Sequence, residues 1–133
     1  ATGRGGRLNT LAAWLDFVVS TLQVWPQCRA VRVVETQQFS ERQFALKVRA
    51  ELATGDMLQM RLYRNSGYTD YAYQLVRGGR SVLRWDNKEH FPGLSTHPHH
   101  FHHPSGWAEG SPLTGDPLVD LPSVLNYLEM QGS

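Results

Sequence analysis

The residues able to do chemistry in this chain are concentrated in one segment. All the histidines fall within a short stretch, as His90, His97, His99, His100, His102 and His103. Imidazole titrates near neutral pH and also ligates transition metals. The segment could therefore serve a metal site, acid–base catalysis or the stiffening of a loop, and the residues alone leave these three roles open.

A metal site would need three or four imidazole or carboxylate ligands directed at one point. Alternate residues of an extended segment point to one side, so the stretch can supply two ligands from one face, with His90 or Asp86 supplying another. The spacing matches no zinc signature, because the chain has neither a cysteine pair nor a His-Glu-x-x-His helix. The metal alternative takes a divalent transition metal and four candidate ligands: His97, His99, His100 and His102.

Metal-free catalysis would use the same rings differently. Two imidazoles beside a scissile phosphodiester can take the 2′-hydroxyl proton and protonate the leaving oxygen, while arginine stabilises the pentacovalent charge. In the structural role the rings would bond to backbone and stack on aromatic residues: Phe91, Phe101 and Trp107.

Positive charge is concentrated in the middle of the chain. Residues 29–84 hold ten Lys/Arg against five Asp/Glu, whereas residues 85–133 hold one Lys against six Asp/Glu. Most of the cations are arginine, whose planar fork suits phosphate. The basic part therefore indicates either a surface for a polyanion or a solvated sheet face, and a homodimer that joins the two charge halves is an open alternative.

These residues must be positioned by one domain, because 133 residues with 41% hydrophobic content suit a single core. Apolar residues at steps of three and four predict an amphipathic helix over residues 8–25, capped by Asn9 or Thr10 and ended by Pro26. The single cysteine, Cys28, has no intrachain partner and so gives no sign of an oxidising compartment.

From residue 29 to residue 86 the period changes to two, with turn signals at Thr54-Gly55-Asp56 and Gly78-Gly79. The pattern predicts an antiparallel meander of about five strands whose inner face packs on the first helix. Its outer face would offer phosphate-binding arginines to RNA: Arg49, Arg61 and Arg84.

Residues 87–120 hold five of the seven prolines and predict a long functional loop, with a short strand near Trp107. Residues 121–131 predict a closing helix that begins after Asp120 and carries Pro122 in its first turn. The fold class is therefore α+β: an N-terminal helix on an antiparallel meander, a histidine-rich loop and a C-terminal helix.

No membrane span is expected, because polar residues interrupt the longest apolar region, Leu8 to Trp25. Asp16 also argues against a signal peptide over this region.

Two motifs resemble the TumE-like toxin family, whose members share an Arg-Trp/Tyr-Asp-Asn stretch, a nearby histidine and a Pro-His-His-x-His segment. The matching residues here are Arg84-Trp85-Asp86-Asn87, His90, and Pro98-His99-His100 with His102. Phe101 stands where the family commonly has a basic residue, and His97 and His103 are additional.

The resemblance implies a cytoplasmic bacterial toxin of a type II toxin–antitoxin pair, encoded beside a protein antitoxin that carries a helix-turn-helix. It implies a functional role for six residues: Asp86, Asn87, His90, His99, His100 and His102.

We expect a toxin that inhibits growth by acting on RNA or translation, as a ribonuclease without a cofactor. In it, His99 and His100 transfer protons or contact phosphate, and Asp86 orients a histidine. The ribonuclease reaction is inferred from the residues and not from the resemblance. The alternative is a non-enzymatic module in which the histidine loop binds metal or a protein partner.

Overall fold

The computed structural model describes residues 9–87, 99–104 and 106–132. In chain order the elements are α1 (Leu11–Val24), β1 (Cys28–Ser40), β2 (Gln43–Leu52), β3 (Met57–Asn65), β4 (Tyr68–Arg77), β5 (Arg80–Asp86), β6 (His100–His102), β7 (Ala108–Gly110) and α2 (Pro117–Gly132). The α+β class and its two flanking helices are as predicted.

The strands form one antiparallel sheet whose spatial order follows the chain, from β1 to β7. Seven strands replace the five that were predicted, because β6 and β7 form inside the segment assigned to a loop. Strands of three residues are too short to show a periodic pattern in the sequence, although β7 is the short strand expected beside Trp107. At the β4–β5 turn Gly78 and Gly79 both adopt positive φ, a conformation that suits a tight hairpin.

The inner face of the sheet holds the core. Alternate residues of β2 and β3 are buried, as the period of two predicts: Phe44, Leu46, Val48, Ala50, Leu52, Leu58, Met60 and Leu62. Helix α1 covers this face through Trp14, Val18 and Leu22, and the Trp14 ring meets Phe44 edge to face at 5.3 Å. Burying each large aliphatic or phenyl side chain stabilises the fold by about 1.5–3 kcal/mol.

The two helices end and begin where local chemistry favours it. Thr10 caps α1 by accepting the amide of Ala13, so one of the two predicted caps is confirmed. Helix α2 begins at Pro117, earlier than predicted, with Asp116 accepting the amide of Leu118. Proline is favoured at a first helical position because no hydrogen bond is required of its nitrogen there. The apolar side of α2 is buried as predicted: Leu121, Val124, Leu125 and Leu128.

Beneath β5 and β6, the same core contains an aromatic cluster. Trp85 lies 4.7 Å from Phe101 and 5.4 Å from Tyr127, measured between ring centroids. Trp25 joins α2 to α1 by donating its ring N–H to Glu129 at 2.6 Å. Both helices therefore cover one side of the sheet, and the opposite side, which we call the outer face, carries the polar residues.

Candidate functional site

Two rows of side chains cross the outer face. Strand pairing places one residue of each strand in a row, so the rows follow from the register. The first row runs Glu35, Lys47, Arg61, Ala72, Asp86, His100 and Gly110; the second runs Arg32, Arg49, Gln59, Gln74, Arg84, His102 and Ala108. The β1–β3 end therefore carries four cations and one acid, Glu35, and the β5–β6 end carries Asp86, Arg84 and two histidines.

Four side chains at that second end are in direct contact, and we call them the carboxylate–histidine cluster: Arg84, Asp86, His100 and His102. Asp86 Oδ1 lies 2.5 Å from His100 Nε2. Asp86 Oδ2 accepts a hydrogen bond from Arg84 Nε at 2.7 Å and lies 3.3 Å from His102 Nε2. One carboxylate thus orients two imidazoles and a guanidinium at once.

The cluster has a buried half and an accessible half. Asp86 and His100 are 2% and 1% exposed, although they lie on the face that the helices leave open. The side chains of Arg84 and His102 are each 29% exposed. A ligand arriving from outside would therefore meet Arg84 and His102 first, with Asp86 and His100 behind them.

Burial also changes the ionisation of His102. Desolvation lowers the pKa of the ring, and the Asp86 carboxylate acts in the opposite direction. Neutral imidazole is the form that accepts a proton or ligates a metal.

Small residues flank the cluster along the rows. The register sets Ala72 against Asp86 on one side and Gly110 against His100 on the other, while Ala108 pairs with His102. A shallow cavity of about 550 Å³ adjoins it on the sheet, and its lining includes Lys47, Arg61 and Arg84.

Lys47 and Arg61 share the lining of this cavity with two acids, Glu35 and Asp70. Among the salt bridges of the described residues, none involves Lys47 or Arg61. Arg49 lies in the other row and donates Nε to Gln59 Oε1 at 2.8 Å, so part of its guanidinium is already engaged. Of the three arginines predicted to bind phosphate, Arg61 and Arg84 line the cavity, and Arg49 lies beside it.

His99 lies on the opposite side of the strand from His100. Its Nδ1 is 2.7 Å from the Tyr71 hydroxyl, and the two rings stack with centroids 5.7 Å apart. Burial raises the pKa of Tyr71 far above its ordinary value, so this hydroxyl stays protonated. The structure therefore separates His99 from His100, the two residues predicted to transfer protons.

His103 contributes to the β6–β7 turn. Its ring stacks on Trp107 at 4.0 Å, and its Nε2 lies 2.8 Å from Glu109 Oε1. These contacts resemble the structural role that the sequence allowed for the histidines.

Asn87 follows the cluster directly and extends the pairing of β5 with β4. Its Oδ1 accepts the amide of Tyr71 at 3.0 Å, and its Nδ2 donates to the carbonyl of Thr69 at 2.6 Å. The side chain is buried. It therefore holds the end of β5, which carries Asp86, against β4. His90 and His97, the other predicted site residues, lie outside the described residues.

The row arrangement itself was missed at the sequence level. The available signal was the stretch His99-His100-Phe101-His102. In a strand, this spacing puts His100 and His102 on one face and His99 on the other. The small residues of β7 carried no signal, because nothing in the sequence sets Gly110 beside His100.

The protein is thus an α+β domain with two helices on one face of an antiparallel sheet. The other face carries cations on β1–β3 and the carboxylate–histidine cluster on β5 and β6. The chain belongs to the TumE toxin family: the family model described as Toxin TumE matches residues 21–131, which include the whole cluster. Membership confirms the predicted resemblance and establishes a toxin role, which implies an antitoxin partner. No curated protein and no solved structure matches the chain. In the part of the chain that the structure describes, no helix is long and apolar enough to cross a membrane.

Proposed function

We propose that this toxin acts on RNA, binding a strand across the outer face and cleaving it at the carboxylate–histidine cluster. The observation that supports this most is the register, which aligns Lys47 and Arg61 with Asp86 and His100 in one row. Neighbouring strands lie about 4.8 Å apart, so three strand spacings, about 14 Å, separate Lys47 from Asp86 along the row. A chain of phosphates could contact both ends at once.

Binding would be mainly electrostatic. Lys47 and Arg61 would hold phosphates ahead of the scissile bond, with Arg49 beside them and Arg84 at the reacting phosphate. Release of counterions from the nucleic acid makes such binding weaken steeply with salt. Asn87 supports the site indirectly, by holding the strand end that carries Asp86.

His102 is the proposed base because it is the accessible histidine of the cluster. Asp86 faces Nε2 of this ring, which favours a proton on Nε2 and leaves Nδ1 as the acceptor. Nδ1 would take the proton of a 2′-hydroxyl. The 2′-oxygen then bonds to phosphorus and the bond to the 5′-oxygen breaks. A 2′,3′-cyclic phosphate forms, and the 5′-oxygen takes a proton from solvent.

The other cluster residues would assist this step. Arg84 would stabilise the charge that develops on the phosphate oxygens. Asp86 would fix the tautomer of His102, and His100, which is buried against the other carboxylate oxygen, would fix Asp86.

The proposal is tested by mapping new RNA 5′ ends in bacteria shortly after the toxin is induced. The intact protein is compared with His102→Ala and with His103→Ala, a histidine one position away on the opposite side of the strand. We expect discrete cuts with the intact protein and with His103→Ala, and none with His102→Ala at equal soluble level. Cuts that persist in His102→Ala would remove this residue from the reaction, and no cuts with the intact protein would reject cleavage.

A second measurement addresses the cofactor-free mechanism. Purified toxin is incubated with RNA in excess chelator, and the new ends are analysed for cyclic phosphate. Cleavage that continues in the chelator supports catalysis by side chains alone, whereas cleavage that stops contradicts it.

Membership of the toxin family also supports a proposal about the partner of this protein. We propose a type II pair acting in the cytoplasm, in which a protein antitoxin with a helix-turn-helix neutralises this toxin. Co-purification of the toxin with the product of a neighbouring gene tests the pairing. The homodimer stays a prediction, to be checked by light scattering.

A further inference from the structure

We propose that Asp86, His100 and His102 form a binding site for one divalent transition metal of the Zn²⁺ class. The site goes beyond the proposed cleavage, because metal binding can be measured without RNA. Its effect on cleavage, given below, rests on the proposed function.

Convergence of donor atoms is the first argument. One ligand atom from each of the three residues lies within 4.8 Å of the other two. Zinc–ligand distances of about 2.0–2.1 Å put the corners of a tetrahedral site about 3.3–3.4 Å apart. Asp86 turns one oxygen to each imidazole, with Oδ2 3.3 Å from His102 Nε2 and Oδ1 2.5 Å from His100 Nε2. A metal held by one of these oxygens requires the carboxylate to turn and the His100 contact to widen by under about 1 Å.

The scaffold supplies the second argument. Asp86 pairs directly with His100, and His102 lies two residues further along β6 on the same face. All three ligands therefore project from two hydrogen-bonded strands, and not from separate loops. Sites built on strands hold their geometry more closely than sites on loops.

The donor set selects the kind of metal. Two imidazoles with one carboxylate suit Zn²⁺ and other transition metals, whereas Mg²⁺ and Ca²⁺ prefer oxygen ligands. Three protein ligands also leave one coordination position for water or another small ligand. Gly110 and Ala108, which add no side chain or only a methyl group, pair with the two histidines.

Arg84 completes the arrangement from outside the ligand set. Its Nε holds Asp86 Oδ2 at 2.7 Å, which orients the carboxylate and leaves Oδ1 directed at His100. Residues that orient a metal ligand in this way typically contribute roughly 10–100-fold to affinity.

His99 takes no part in this site, since its ring contacts Tyr71 on the other side of the strand. The proposed ligands thus share His100 and His102 with the predicted set of four histidines, and Asp86 supplies the third.

Metal binding and the base role of His102 exclude each other. A metal on Nε2 replaces the proton there, and neutral imidazole then carries its remaining proton on Nδ1. Nδ1 can no longer accept the 2′-hydroxyl proton. Metal-loaded toxin is therefore expected to cleave RNA more slowly than metal-free toxin.

Titration calorimetry with ZnCl₂ on tag-free full-length protein tests the site, with Co²⁺ absorption as a second probe of coordination. We expect one equivalent to bind, and His102→Ala and Asp86→Asn to weaken binding by more than the roughly 10–100-fold expected of Arg84→Gln. His103→Ala is the matched control and should keep the site, because its ring contacts Trp107 and Glu109. Circular dichroism confirms that each variant is folded.

Three outcomes would overturn the proposal: no binding by the intact protein, binding unchanged in both His102→Ala and Asp86→Asn, or binding lost in the His103→Ala control. Each is read without RNA, so failure of the metal site is distinct from failure of the proposed cleavage. If Zn²⁺ binds and RNA cleavage is unaffected, the site stands and the base role of His102 is rejected.

Discussion

The two sides of strand β6 show how neighbouring residues of one type take different tasks. His100 and His102 face outward and meet Asp86. Phe101 faces inward and joins the core, while His99 and His103 pack on aromatic rings. Side chains of a strand alternate between its faces, so a shift of one residue decides whether a histidine meets Asp86 or packs on aromatic rings.

The two sheet faces extend this comparison to the whole molecule. The inner face contributes stability by burying large apolar side chains under two helices. The outer face arranges charge, and the buried Asp86 and His100 are tolerated there because each contacts the other. Substitutions on the two faces should therefore separate stability from toxicity.

The largest expected effect is on the inner face. Trp85→Ala removes a buried indole that contacts Phe101 and Tyr127. We expect a loss of about 3–5 kcal/mol in the free energy of unfolding, measured by denaturant titration. Trp107→Ala is the matched control, because this tryptophan is 53% exposed, and should cost under about 1 kcal/mol. Equal losses would contradict the division between the faces.

The Asn87→Ala variant tests whether Asn87, which was predicted to bind substrate, instead stabilises the fold. Asn87→Ala removes two hydrogen bonds to the backbone of β4 and should destabilise the protein by about 1–3 kcal/mol, because two buried backbone groups lose their partner. Asn65→Ala, at an exposed strand end, should change stability by no more than about 0.5 kcal/mol. An Asn87→Ala protein of unchanged stability that fails to bind RNA would instead assign Asn87 to the substrate.

Salt dependence of RNA binding tests the cationic end of the rows. Replacing Lys47 and Arg61 together by Gln should lower the slope of log affinity against log salt by about 1.4, or about 0.7 for each charge on a single strand. The matched pair Arg77→Gln and Arg80→Gln, at the β4–β5 turn, should leave the slope unchanged. A slope that falls equally in both would mean that binding is not confined to the rows.

The smallest expected change in stability is that of His102→Ala, which is compared with His103→Ala. His102→Ala should abolish growth inhibition while changing the free energy of unfolding by under about 1 kcal/mol, because the side chain is partly exposed. His103→Ala loses its stack on Trp107 and its contact with Glu109, so it should cost a similar or larger amount of stability and keep the toxin active. Growth curves and thermal melts of both variants, at equal soluble level, measure this; a reversed pattern would exchange the roles of the two sides.

Periodicity in the sequence determined the helix–meander–helix order and the inner face of β2 and β3, because repeating contacts with a core impose a repeating pattern. Residue type limited the cap of α1 to Asn9 or Thr10, and the structure shows that it is Thr10. The motif around Asp86 and the histidines was sufficient to indicate the toxin family that the family match confirms. Residue types alone also predicted imidazole chemistry beside a basic surface, and this stays a prediction.

Tertiary structure decided which histidines meet. Strands β6 and β7 are three residues each, too short for any period, and they exist because β5 offers an edge for pairing. That pairing sets Asp86 beside His100 and turns His99 away. Register between distant segments depends on the hydrogen bonds and packing of the whole sheet, which no local stretch of sequence contains.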